Sequence, residues 1–448
     1  MLGGCRAGAR PGAASLRTVL VFQALVQSDW FVNEGISGVQ ELVWQATAPF
    51  RQLHPGIDLR FFGTTVNPVG EVIAGSGPDV VQLQGGGGGV GAWLENGLLL
   101  DLTAYVRQSN LNLDIFATRQ LDAVQVGGRL YGLPEYTGTD AMVVNLDLVD
   151  RLGQPYPSAQ WSYLEWAEFV RNTAAVRASK PRLGGSVRLG PVPVGAYLAG
   201  WGGAIIDPAD RRRCVLDSPQ AVACGEFLYP LILEGLAAPG LNQPALFNAG
   251  LMASGVVWQG QTLANARMLQ GDKWRFYPMP TWPEGAYTFT NENYYAITAG
   301  SRQPAAAWEL LNWICGEPHY QRAFMHLFLW PPALRALWPE WLAQVHAVAP
   351  VLRNKNVEVF GAPLVADRVV AVNGGSFTYQ DQQAFAVIGQ YNGQILARKL
   401  SVTQAFAQAA RQVNALEAAG AGGKARAAAS AQAFPRQGPP VAAVLPGI

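Results

Sequence analysis

Three tryptophans stand where a core aromatic has little reason to be. Trp30 falls in the polar stretch QSDWFVNEG, Trp201 is bracketed by glycines in AGWGGAII, and Trp258 is followed by Gln259, Gly260 and Gln261. An indole offers an apolar face, and amides, phenols and carboxylates offer hydrogen bonds around it. Together they suit a ligand with hydroxyls in its ring plane and C–H groups on its faces. Gln84, Tyr136, Gln259 and Asn293 are the candidate rim groups, because each ends or begins an apolar run. Trp44, Trp166, Trp308 and Trp313 recur on helical apolar faces, where core packing is the better reading.

Turnover chemistry finds less support. A glycosidase needs two carboxylates at a set separation. Glu135 and Asp140 could be cast in those roles, but nothing else in the sequence supports them. No G-x-S-x-G nucleophile elbow is present. His54, His319, His326 and His346 lack ligand spacing, and Cys5, Cys214, Cys224 and Cys315 form no CxxC pair. No metal and no cofactor is therefore expected. Cys214 and Cys224 could meet in an oxidising compartment, whereas Cys315, beside Trp308, Leu311 and Ile314, reads as a buried thiol. The five glycines at 85–89 lack the Gly-Lys-Ser/Thr ending of a phosphate loop and read as a flexible turn. The run Arg211-Arg212-Arg213 reads as a solvated strand edge.

These residues need elements to position them. TVLVFQALV, within residues 16–26, suits a buried strand. Ile36, Val39, Leu42, Val43, Ala46, Phe50 and Leu53 then recur at helical spacing, and IDLRFF resumes as a strand. Strand–helix–strand units of this kind build mainly parallel sheets. Helix starts are marked by Ser162 with Glu165, a capping-box pair, and by Ser218 before Pro219. Pro304 opens another helix, and Gly316 sits where a C-terminal cap belongs. Residues 419–448 are Ala/Gly/Pro-biased and are expected to be a disordered tail.

The chain has 448 residues, too long for a single core, so at least two compact units are expected. A formal net charge of +1 gives no overall attraction to nucleic acid or an anionic membrane. No interior stretch reaches the ~20 uninterrupted apolar residues of a membrane span. Leu2, Gly4 and Cys5 resemble the end of a bacterial lipoprotein signal, without the apolar region that should precede it. The expectation is that the true start lies upstream, that Cys5 carries a lipid, and that residues 6–15 form a tether.

Several runs, in order, resemble extracytoplasmic solute-binding proteins of ABC importers, the carbohydrate class that includes maltose-binding protein. They are Gly75-Ser76-Gly77-Pro78-Asp79-Val80-Val81, then ENGLLLDLTAYV, then Gly128-Arg129-Leu130-Tyr131-Gly132-Leu133-Pro134 with Val143-Val144-Asn145-Leu146-Asp147-Leu148. Pro157 to Trp161, Tyr294 to Ile297 and Pro304 to Trp308 complete the series. Val144, where the family usually has tyrosine, and the glycine run depart from the pattern.

The resemblance implies an α/β, two-lobed, periplasmic-binding-protein-like fold of type II, with a cleft and hinge between the lobes. Residues 16–140 plus 297–328 would form lobe 1, and 141–296 plus 329–418 lobe 2, after a leader at 1–15. The chain would cross near 138–145, 293–297 and 328–332. Trp30, Trp201 and Trp258 would match cleft-lining loop positions. The implied function is capture of a small solute, a sugar or oligosaccharide, and its delivery to ABC permease subunits. The protein would act as a monomer in the periplasm or at the outer face of the cytoplasmic membrane, held there by lipid alone and without nucleic acid. The alternatives are a glycosidase-like extracytoplasmic enzyme and a sensor-input protein for a non-sugar solute.

Overall fold

The computed structural model describes residues 17–23, 39–62, 68–84, 89–188, 195–241, 243–259, 269–290, 293–371 and 381–433. The strands described are β1 (Thr18–Phe22), β2 (Ile57–Phe61), β3 (Val80–Gln84), β4 (Gln125–Val126), β5 (Arg129–Leu130), β6 (Leu133–Tyr136) and β7 (Asp140–Asn145). They continue with β8 (Gly185–Val187), β9 (Ala237–Pro239), β10 (Ser254–Trp258), β11 (Trp274–Tyr277), β12 (Thr288–Thr290), β13 (Asn293–Ile297) and β14 (Val369–Ala371).

Alternating apolar residues make β1 a central strand: Leu20 and Phe22 are fully buried. It lies parallel to β2 and β3, as the strand–helix–strand pattern predicts. β13, antiparallel to β3, and then β6, antiparallel to β13 and so aligned with β1 to β3, complete the sheet in the order β2-β1-β3-β13-β6. Asp79 ties it together, accepting the Val21 N–H at 2.9 Å and the Ser301 hydroxyl at 2.6 Å.

A second sheet, ordered β10-β7-β11, is antiparallel and covered on both faces. Met142, Val144, Val256 and Tyr277 face a core built with the helices Tyr163–Thr173, Pro219–Leu233, Asp381–Leu396 and Val402–Ala433. Ala141, Val143, Val257 and Phe276 face the other way. They join a core that runs through Leu329 to Leu364 and on to the first sheet. The apolar interior therefore continues from one sheet to the other where the chain crosses between them.

Local start signals act as expected. Ser162 and Glu165 form the reciprocal capping box, and Ser218 caps the helix that Pro219 opens. Gly316 differs: its φ is −87°, so no left-handed cap forms. Glycine is needed there for space, because a Cβ would come within 2.5 Å of Asn312 Oδ1. The C-terminal helix also continues to Ala433, past the point where the sequence suggests packing should end. Alanine's helix propensity accounts for backbone helix in that stretch. Cys214, Cys224 and Cys315 are separate buried thiols. Arg211 to Arg213 occupy a turn rather than a strand edge, with Arg212 and Arg213 paired to Asp210 and Asp207. Among the described residues no helix is long and apolar enough to cross a membrane.

Pairing fixes the crossings more narrowly than the sequence does. β7 lies wholly in the second sheet and β13 wholly in the first, so Asn293 to Ile297 belong with the first sheet. The crossings fall at 137–139, between the end of β12 at Thr290 and the start of β13 at Asn293, and at 329–332. Thr139 pairs with Thr290, Tyr136 pairs with Pro332, and the Thr137 N–H donates to the Pro331 carbonyl at 3.1 Å.

Candidate functional site

At these crossings the sheet register sets Gln84, Asn293 and Tyr136 at one level, on the edge where β1 and β3 end. Open sheets hold ligands beyond the C-terminal ends of their parallel strands. The second sheet presents Trp258 opposite Asp140, and the Gln259 N–H donates to the Thr139 carbonyl at 2.9 Å. Trp330, from the third crossing, joins the two sides. Its ring centroid is 4.5 Å from that of Tyr136 and 6.2 Å from that of Trp258. Tyr136, Trp258 and Trp330 are nearly fully buried in this conformation, packed on one another. Gln259 and Asn293 are buried beside them, and the buried hydroxyls of Thr137 and Thr290 have no partner among the described residues.

Backbone space lets Trp258 lie here. A Cβ on Gly138 would collide with Trp258 Nε1. Gly138→Ala is therefore expected to push the indole aside and cost about 1–3 kcal/mol through overpacking. Chemical unfolding followed by tryptophan fluorescence reads both effects.

Of the residues expected from sequence, the structure brings together Tyr136, Trp258, Gln259 and Asn293, with the backbone of Gln84. It does not bring Trp201 to them. Trp201 follows the helix Gly195–Gly200, and its ring packs 5.3 Å from Tyr163 and 5.6 Å from Phe227, against the second core. Glycines on either side let the chain turn there while the ring fills space. Trp30, Cys5 and the Gln84 side chain lie outside the described residues. Trp330 was missed by sequence reasoning. Its signal is a tryptophan directly before Pro331 and Pro332 at an expected crossing.

Glu135 and Asp140, the two carboxylates a glycosidase reading would use, are both internal. Glu135 is fully buried and accepts hydrogen bonds from Gln82 and from the Tyr320 hydroxyl, the latter at 3.4 Å. Burial raises its pKa to about 8, with the bonds from Gln82, Tyr295 and Tyr320 opposing part of that shift. Asp140 is also pushed up by burial and held back by Arg188, whose Nη1 lies 2.5 Å from its carboxylate. Among the described residues no cluster of His, Cys, Asp or Glu could hold a metal.

A cavity of about 960 Å³ lies elsewhere. Asp122 and Gln125 form one wall, and Asp207, Arg211, Glu284 and Arg368 belong to the other. The first wall comes from the segment beside β6, at the sheet edge away from β1 and β2. Tyr287 and Arg368 stand just before β12 and β14. The two walls are bridged by Arg211 Nη1 donating to the Gln125 carbonyl at 2.9 Å, and the lining includes none of Gln84, Tyr136, Trp258, Gln259, Asn293 or Trp330. The crossing itself is the candidate site.

This arrangement, two α/β units around separate sheets joined by three crossings, is the type II two-lobed solute-binding fold. The sugar-binding protein MalE of Xanthomonas citri has 17% identity and a TM-score of 0.69, over 90% of this chain and 98% of that one. The ABC substrate-binding protein of Listeria monocytogenes, solved with cycloalternan, has 17% identity and a TM-score of 0.67, over 89% and 98%. Maltose-bound MalE3 of T. maritima has 19% identity and a TM-score of 0.62, over 89% and 100%. A search of curated proteins finds no match. The chain belongs to the bacterial extracellular solute-binding protein family, whose sequence profile matches residues 33–318.

Proposed function

We propose that this protein captures a sugar or oligosaccharide between its lobes and hands it unchanged to an ABC permease. The observation that carries this reading is the meeting of Tyr136, Trp258 and Trp330 where the chain crosses, with amide groups beside them. Aromatic faces bordered by amides suit a carbohydrate ring. Structural neighbours bound to maltose, tagatose and cycloalternan support the same class of solute. The ligand-facing group is Tyr136, Trp258, Gln259 and Asn293, with Trp30 and Gln84 added from their places in the sequence. A lipid on Cys5 would hold the monomer at the outer face of the membrane. Loss of a fatty-acid label on Cys5→Ser, in a chain carrying its full signal, tests that anchor.

The test of capture is titration calorimetry on the wild type and Trp258→Ala. Removing an anchoring indole is expected to weaken sugar binding by about 2 kcal/mol, roughly thirtyfold. Trp201→Ala should lower stability instead and leave Kd unchanged. Equal loss of affinity in both variants, or in neither, contradicts the placement.

A further inference from the structure

Arg188 directly follows β8, and its guanidinium is held at one end only. Nη1 donates to both oxygens of Asp140 at 2.5 Å, and the guanidinium carbon lies 5.2 Å from the Phe289 ring centroid. The Arg188 backbone N–H donates to the Tyr197 hydroxyl oxygen at 3.2 Å, which fixes the start of the side chain. Nε and Nη2 have no partner among the described residues. The Asp140 side chain is 0% exposed, whereas that of Arg188 is 18% exposed, so the free end of the fork faces outward. Asp140 is the first residue of β7, just past the 137–139 crossing and opposite Trp258. A fixed pair of N–H donors therefore stands on the lobe 2 side of the candidate site.

The charge balance there is unfavourable to an anion. Asp140 already compensates Arg188. Recognition of a phosphate or carboxylate calls for an uncompensated cation or a helix N-terminus. Hydroxyl oxygens need only oriented donors.

We propose that Arg188, oriented by Asp140, donates hydrogen bonds to hydroxyl oxygens of the solute, and that the site selects uncharged, hydroxyl-rich solutes over phosphorylated or carboxylated sugars. This rests on the carbohydrate reading above and narrows it.

The test is titration calorimetry with maltose, mannotriose and tagatose as neutral probes and glucose 6-phosphate and glucuronate as anionic ones. Arg188→Lys is the variant, because its ammonium can still pair with Asp140 but supplies no second pair of donors. Circular dichroism checks its fold. At least one neutral probe should bind the wild type, with the anionic probes at least a hundredfold weaker. Arg188→Lys should lose roughly tenfold, the scale of one charge-assisted hydrogen bond. An anionic probe binding as tightly as the neutral ones overturns the selectivity and leaves carbohydrate capture standing. A folded Arg188→Lys with unchanged affinity overturns the role of Arg188. Binding of no probe at all overturns the carbohydrate reading itself, and this inference with it. The wild-type comparison decides selectivity even where the variant does not fold.

Discussion

Glu135→Gln should make the folded protein more stable at pH 9 than the wild type, by roughly 5 kcal/mol. The figure follows from a carboxyl that titrates near 4.5 when unfolded and at about 8 when folded, at about 1.36 kcal/mol per pH unit. Between those values the native state keeps a proton that the unfolded chain has released. Wild-type stability from this group is therefore full below about pH 4.5. It falls as pH rises through the window to about 8 and is flat above it. The cause is burial among Gln82, Tyr295, Tyr320 and Cys315, on four separate elements, with no cation among the partners described. Glutamine keeps the shape and the hydrogen-bond capacity without the charge. Urea unfolding of both proteins from pH 5 to pH 9 measures the difference, which cancels the titration of every other group. Parallel curves for wild type and variant would mean that Glu135 is ionised inside the fold.

Asp140→Ala is expected to cost about 3–5 kcal/mol, because it strands the largely buried guanidinium of Arg188 beside Phe289. The size comes from the uncompensated charge more than from the lost attraction. The double variant Asp140→Ala with Arg188→Met should therefore recover a large part of that loss, since it removes both charges. Unfolding free energies of the two single variants, the double variant and the wild type give the coupling directly. Additive losses would show that the two side chains do not act as a pair. Part of the guanidinium remains exposed, which places the expected cost towards the lower end of the range.

Local signals in the sequence carried much of the fold. The capping box of Ser162 and Glu165, the Ser218-Pro219 start and the apolar alternation of β1 each act over a few residues, so a linear reading finds them. The order of motifs from Gly75 to Trp308 pointed to the two-lobed family, which sheet topology and the sequence profile bear out. Positions set by pairing were less legible. β13 joins the first sheet because Asn293 to Ile297 pair with β3, a choice that no single segment encodes. The same holds at the site. Arg188 meets Asp140 across 48 residues, and Trp330 reaches Tyr136 only once the third crossing is in place. Trp201 carried a misleading signal, because a glycine-bracketed turn can deliver an indole to a core as readily as to a cleft.

Native mass spectrometry after incubation with a mixture of neutral mono- and oligosaccharides tests the central claim most directly. Capture without chemistry predicts a one-to-one complex whose added mass equals that of an intact sugar in the mixture. The free sugars should remain unaltered over hours. Trp258→Ala should show the same complex at much lower occupancy. A folded protein that retains no sugar, or a mixture in which glycosidic bonds are cleaved as incubation proceeds, would contradict the account.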